Sequence, residues 1–217
     1  SAARLAGIAG NANIPVAARA EALDLLAEWA KPSGRDRITG LWRPLPTRDA
    51  KLAAAAAKPV LAAALRTGAT PVRLAAVKAV DQLDVADMNS VLFELVSDTK
   101  ANTGVRVGAL NRLAALRDAQ LAAALDIAAK DKAEPLRVAA TTLRAKTTKG
   151  SAVAPLLAVI ATGSVGEKQN AIAMIGGLPG AEADGVIASL VTELAGGTHH
   201  PELSLEVIEA GEKRADT

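Results

Sequence analysis

The side chains from which this 217-residue chain would have to make chemistry fall in a few short clusters. His199-His200, with Glu202 two positions on, puts two imidazoles and a carboxylate within four residues. Adjacent histidines meet at one metal ion only where a loop turns both rings inward. With no third strong ligand nearby in sequence, the pair reads as a surface loop and no metal is expected. Ser33-Gly34 and Thr39-Gly40 set hydroxyls beside glycines. No neighbouring histidine is there to act as base, so they read as turn chemistry rather than nucleophiles. Gly176-Gly177-Leu178-Pro179-Gly180 has the glycine density of a phosphate loop without the preceding strand such a loop needs, and reads as a helix stop. The expectation is no catalytic residue, no cofactor-binding residue, no metal ligand and no cofactor. Cysteine is absent, which removes disulfides, thiolate metal sites, thiol nucleophiles and covalent haem attachment within these residues.

The cluster that remains is basic. Residues 30–51 carry Lys31, Arg35, Arg37, Arg43, Arg48 and Lys51 against Asp36 and Asp49, a net of +4, whereas the whole chain carries +2. The remainder is therefore slightly acidic. The total is too balanced to imply nucleic-acid or membrane binding by the molecule as a whole. The stretch also holds Trp42, one of only three aromatic residues beside Trp29 and Phe93. Trp and Arg are enriched where protein interfaces carry most of their energy, so Arg35, Arg37, Trp42, Arg43 and Arg48 form the candidate interaction surface. Two readings of the stretch stand side by side. In one it is a packed spacer whose Leu41 and Trp42 plug the end of the first repeat. In the other it is a docking surface, with part of the set Ile38, Leu41, Trp42 and Leu45 buried on the first two repeats and the arginines facing an acidic partner.

What must position these residues is helix. Taking Arg106 as an anchor, Ala109 follows three residues on, then Leu110, Leu113 and Leu116 at four, seven and ten. That spacing is one apolar stripe of a 3.6-residue helix. The template fits Arg73 (Ala76, Val77, Val80, Leu83), Arg19 (Ala22, Leu23, Leu26, Trp29) and Lys168 (Ala171, Ile172, Ile175, Leu178). A weaker copy starts at Arg137 with Ala140 but puts Thr141, Arg144 and Thr147 on the stripe. Successive anchors lie 54, 33, 31 and 31 residues apart. A period in the low thirties marks stacked helix pairs, each burying its apolar face against its neighbours.

The fold class expected is all-α: a single α-solenoid of about five to six antiparallel helix pairs over residues 1–217. The repeats run roughly 1–29, 51–84, 87–117, 118–148, 151–179 and 182–211, with an insertion at 30–50. Pro59 should kink the helix resuming at Asp49 or Ala50, and Pro155 should repeat that kink. Thr70-Pro71 should cap the helix of Arg73. A turn is expected at Thr147 to Gly150, and the tail from Glu212 should fray. The longest apolar run, Leu52 to Leu65, is broken by Lys58-Pro59 and too short to span a bilayer, so no membrane insertion is expected. The start at Ser1 and the incomplete first pair suggest a piece excised from a larger chain.

Second helices that open on an aliphatic-basic pair (Val72-Arg73, Val105-Arg106, Leu136-Arg137) and continue Ala-aliphatic resemble HEAT and HEAT-like repeats. Leu23 to Ala50, LDLLAEWAKPSGRDRITGLWRPLPTRDA, followed by an Ala-rich helix, looks like the HEAT-repeat segment of the large planctomycete and verrucomicrobial membrane-associated, haem-binding dehydrogenase-like proteins. The resemblance implies a connecting or docking module, in a secreted or periplasmic bacterial protein, between a β-propeller and a c-type cytochrome domain. The expected function is a non-catalytic scaffold whose partners are other domains of the parent chain or another protein. It is not itself an enzyme, though the parent would be an oxidoreductase. The alternatives are a nucleic-acid-binding HEAT-like module, disfavoured by the scarcity of aromatics, and a HEAT-like lyase or hydroxylase, for which no His-Glu dipeptide or acid-base pair is present.

Overall fold

The computed structural model describes residues 1–36, 38–147 and 152–215, with Ala215 described by its backbone alone. Arg37, the greater part of the expected turn at 147–150, and the last two residues of the tail lie outside the described residues. The fold is all-α. Twelve α-helices are seen among the described residues: α1 Ala2–Gly10, α2 Val16–Ala27, α3 Ala50–Thr67, α4 Thr70–Gln82, α5 Asn89–Ser97, α6 Thr103–Ala115, α7 Leu121–Ala129, α8 Glu134–Thr147, α9 Val153–Thr162, α10 Val165–Gly177, α11 Ala181–Ala195 and α12 Ser204–Ala215, the last preceded by a single 3-10 turn at Pro201–Leu203. None is long and apolar enough to cross a membrane.

The chain divides into two compact units, Ser1–Ala124 and Leu125–Thr217. In the first, α2 packs on α4 and α4 on α6, while α1 packs on α3 and α3 on α5. In the second, α8 packs on α10 and α10 on α12, with α9 and α11 against α10. The stripes read from the sequence line these contacts. Leu23, Leu26, Val80, Leu110, Leu113, Ile172 and Ile175 are fully buried, as is the small residue three after each anchor at Ala76, Ala109, Ala140 and Ala171. Each large aliphatic so removed from water contributes about 1.5–3 kcal/mol. Small residues let the stacked helices approach closely. A Cβ on Gly108 would lie 2.7 Å from Val77 Cγ1, and one on Gly176 would lie 2.7 Å from Ala210 Cβ.

The anchors occupy one register: Arg19, Arg73, Arg106, Arg137 and Lys168 are each the fourth residue of their helix. From there the guanidinium reaches back to the end of the helix before. Arg19 Nε donates to Ala9 O (3.0 Å), Arg73 to Arg66 O, and Arg106 through Nε and Nη2 to Val96 O (3.1 and 2.9 Å). Arg137 Nη1 donates to Asp131 O and Lys132 O (2.9 and 3.0 Å), just past α7. Carbonyls at a helix end have no partner within the helix and carry the negative end of the dipole, so a cation there is doubly favoured. The four arginines therefore clip each pair shut, and two of them also reach the following pair, Arg73 to Asp98 (3.9 Å) and Arg137 to Glu167 (2.6 Å).

Further links join successive pairs. Lys78 on α4 bonds Asp24 and Glu28 on α2 (both 3.0 Å), and Arg112 on α6 meets Asp81 and Asp84 (3.4 and 2.5 Å). Arg137 on α8 forks Glu167 on α10 (2.6 and 3.0 Å). Glu167 also closes a capping box with Ser164 at the start of α10. Held by the Arg137 guanidinium first, and then by the Ser164 amide and hydroxyl, its carboxyl group is lowered to about 2.

Several boundaries differ from expectation for local reasons. Thr70 is the first residue of α4 rather than its cap: the N-cap is Ala69, with no side-chain hydrogen bond, and Pro71 stands at the second position. α7 starts at Leu121, not Asp118, because Asp118 Oδ1 takes the Gln120 amide (2.7 Å) and holds a turn there. Pro59 sits tenth in α3 without ending it, whereas Pro155 is third in α9. There its missing N–H costs no helical bond, so the two prolines are not equivalent. α12 continues through Arg214, where fraying was expected, because that residue donates to Ile175 O (2.8 Å) and Leu178 O and pairs with Asp184.

Candidate functional site

The insertion leaves α2 at Trp29 and returns at Asp49, whose carboxylate caps α3 by accepting the Lys51 amide (2.8 Å). Its two ends are tied together: Arg48 N donates to Ala30 O (3.0 Å), and the Arg48 guanidinium lies over the Trp29 ring, 4.1 Å from the centroid. Trp29 and Arg48 thus form the base of the loop, a cation–π contact half-removed from water.

Beyond the base the chain folds into a short hairpin. Arg35 and Trp42 face each other as an antiparallel bridge, flanked by Arg43 N to Gly34 O (2.7 Å) and Asp36 N to Leu41 O (2.8 Å). Asp36 Oδ1 accepts the amides of Ile38 (3.0 Å) and Thr39 (2.7 Å), and Gly40 supplies the left-handed residue at φ 71°. These bonds, the Thr39 amide foremost, hold the Asp36 carboxyl below the usual carboxylate range. Under the hairpin the Trp42 ring lies so close to Gly34 that a Cβ there would stand 2.5 Å from it. Only glycine permits that approach.

The packed-spacer reading, and the partial burial expected in the docking reading, are both corrected here. Ile38 is 96% and Trp42 71% exposed, and Leu41 and Leu45 are also open to solvent. The loop is ordered by hydrogen bonds and by one face of the Trp42 ring, so its apolar side chains need no seat on the helices and stand outward. With Leu52 they make five of the twelve large apolar residues exposed among the described residues, concentrated within fifteen positions. The plug at the end of α2 is Trp29 under Arg48, a contact that the sequence reading missed. The signal available for it was the tryptophan ten residues after the anchor in the first stripe, where the copies at Arg73, Arg106 and Lys168 have leucine.

Between the hairpin and α2 lies a cleft of about 300 Å³, lined by Leu25, Glu28, Arg35, Arg43, Leu45 and Arg48. The structure thus brings together Arg35, Arg43 and Arg48 of the candidate surface, with Trp42 next to Arg43 in the hairpin and paired across it with Arg35. Among the described residues none of the three arginines pairs with a carboxylate. Arg35 Nη1 donates to Gly40 O (2.9 Å), Arg48 stacks on Trp29, and the Arg43 side chain makes no hydrogen bond among the described residues. The nearby acids are engaged elsewhere, Glu28 by Lys78 and Asp36 by the turn.

Comparison with protein-family models, curated proteins and solved structures gives no match to this chain. The site is therefore read from its chemistry alone. Three cations with spare donors beside exposed aliphatic and indole surface can bind carboxylates and apolar groups together. They offer no acid-base pair of the kind proton transfer requires. The histidines do not converge: the His199 side chain is largely buried with Nδ1 4.0 Å from Glu193 Oε2, while His200 is exposed with Nδ1 3.9 Å from Glu202 Oε2. Among the described residues no three His, Cys, Asp or Glu side chains come together as a metal would need.

Proposed function

We propose that the chain is a non-catalytic scaffold, a HEAT-like α-solenoid whose insertion docks on an acidic, partly apolar surface of another protein or of another domain of its parent. Stacking of α2 on α4 on α6 and of α8 on α10 on α12 supports the repeat reading. The observation that carries the docking reading is the contrast in arginine pairing. Arg66, Arg112, Arg137, Arg144 and Arg214 each meet a carboxylate, whereas among the described residues Arg35, Arg43 and Arg48 meet none and line one cleft with Leu45, Trp42 standing across from Arg35 on the hairpin. An interface centre of tryptophan and arginine with an apolar surround is the composition expected of a binding hot spot. The resemblance over Leu23 to Ala50 extends the proposal to a dehydrogenase-like parent.

A direct test uses an acidic peptide alternating Glu and Leu, with a single-stranded oligonucleotide as the competing probe. Binding of the peptide should be abolished by changing Arg35, Arg43 and Arg48 together to Glu, with helicity retained. Tighter binding of the oligonucleotide, with an affinity falling steeply with salt, would replace docking by the nucleic-acid alternative.

A further inference from the structure

The weak repeat copy coincides with a cleft. At the fourth and seventh positions after the anchor, the other copies bury Leu23 and Leu26, Val77 and Val80, Leu110 and Leu113, and Ile172 and Ile175. α8 has Thr141 and Arg144 at these positions, and both line an opening of about 570 Å³ between α8, α9 and the start of α10. That volume lies within the range of small-molecule sites. The floor is apolar, from Pro155 and Val159, and hydroxyls stand at Thr141, Thr162 and Ser164. The rim is fixed: Ser164 and Glu167 close the capping box, and Glu167 holds Arg137 by two bonds.

We propose that this cleft is a binding site for a small monocarboxylate with a short hydrocarbon body. Arg144 supplies the cation. Its guanidinium already meets a carboxylate, that of Asp126 on α7, in a pair whose side chains are 37% and 68% exposed. A pair so open to water contributes little, and the guanidinium accepts an incoming carboxylate in its place. The Thr141 hydroxyl, one turn away on the same face of α8, adds a donor beside it. The body of the ligand lies along Pro155 and Val159. A doubly charged phosphate is disfavoured, because the Glu167 carboxylate lies in the same lining with its charge fixed by Arg137. The site is independent of the docking surface in residues 30–51, and it accounts for polar side chains where four other copies have aliphatic ones.

Hexanoate is the probe, with hexanol as the uncharged control of equal length, each titrated into the isotope-labelled full chain and followed by backbone amide shifts. Hexanoate should shift the amides of Thr141 and Ser164, and hexanol should leave them in place. Arg144→Gln, which keeps a polar side chain that can donate hydrogen bonds but removes the charge, should weaken hexanoate at least tenfold. The double substitution Thr141→Leu and Arg144→Leu, restoring the stripe, should abolish the shifts and raise the melting temperature by about 2–4 °C. Equal shifts with both probes, undiminished hexanoate affinity in Arg144→Gln, or a lower melting temperature in the double variant would each overturn the proposal.

Discussion

The arginines of the helices and those of the insertion are the same residue put to opposite uses. Arg106, 3% exposed, is spent on the carbonyl that ends α5, and Arg112 and Arg137 bridge neighbouring helices. Arg43 projects from the hairpin with no side-chain hydrogen bond among the described residues, and Arg35 uses one donor on Gly40 O within it. For Arg106 and Arg112 burial decides the difference. A guanidinium inside the fold must find acceptors or its desolvation is uncompensated, whereas an exposed one can wait for a partner. A count of positive charge along the sequence cannot separate the two kinds.

The comparison breaks most visibly at Arg106. Its replacement by Ala should cost about 3 kcal/mol, from lost charge-assisted hydrogen bonds and a cavity beneath the aliphatic stem. Urea unfolding measures it, and a cost below about 1 kcal/mol would mean that Val96 O finds another donor. Glu167→Gln comes next, at about 2 kcal/mol near neutrality. The sign of its pH dependence is fixed by the lowered carboxyl. The native group stabilises fully above its ordinary value of 4.5, and that contribution is lost as pH falls through about 2. Wild type and variant should therefore converge in stability as acid is added. If the gap stays constant from pH 6 to pH 2.5, the ion pair is not what Glu167 provides.

Arg117 is a third kind, placed by backbone rather than by charge. It follows the C-cap of α6 at φ 50°, with Asp118 N bonded to Leu113 O in the pattern that usually takes glycine. Arg117→Gly should stabilise by about 1 kcal/mol, read as a raised melting temperature. Smallest of all, Arg35, Arg43 and Arg48 changed together to Ala should shift unfolding by less than about 0.5 kcal/mol. A larger loss would assign the cation–π contact at Trp29 a part in holding the helices.

Much of the helical frame was legible. The stripe at Arg106, copied at Arg19, Arg73 and Lys168, located four buried faces, because a 3.6-residue period leaves a strong imprint on aliphatic side chains. The capping box of Ser164 and Glu167 is also written in the sequence, as a serine three residues ahead of a glutamate at the start of the Lys168 stripe. The ends of α4 and α6 fall within two residues of the expected 84 and 117, but their left-handed backbone was not legible, because Asp84 and Arg117 adopt it without glycine to announce it. The insertion misled for another reason. Four apolar residues imply burial only if burial orders the segment, and here Asp36, Gly34 and Gly40 do that through local bonds. The candidate surface was found by charge and rarity of type, while the Trp29–Arg48 base depended on a contact across nineteen residues that no local pattern encodes.

The insertion also bears on how the chain reaches its fold. Most side-chain links between helices span about thirty residues, as Arg66–Glu94, Arg112–Asp81 and Arg137–Glu167 do at 28, 31 and 30. Lys78 to Asp24, which closes over the insertion, spans 54. Closing a loop becomes harder only with the logarithm of its length, and this one is less than twice the usual. The extra entropy is therefore below about 0.6 kcal/mol. The segment between α2 and α3 is thus a place where an array of helix pairs could lengthen and acquire a new surface at nearly constant stability, its folding rate hardly altered because the remaining contacts stay local.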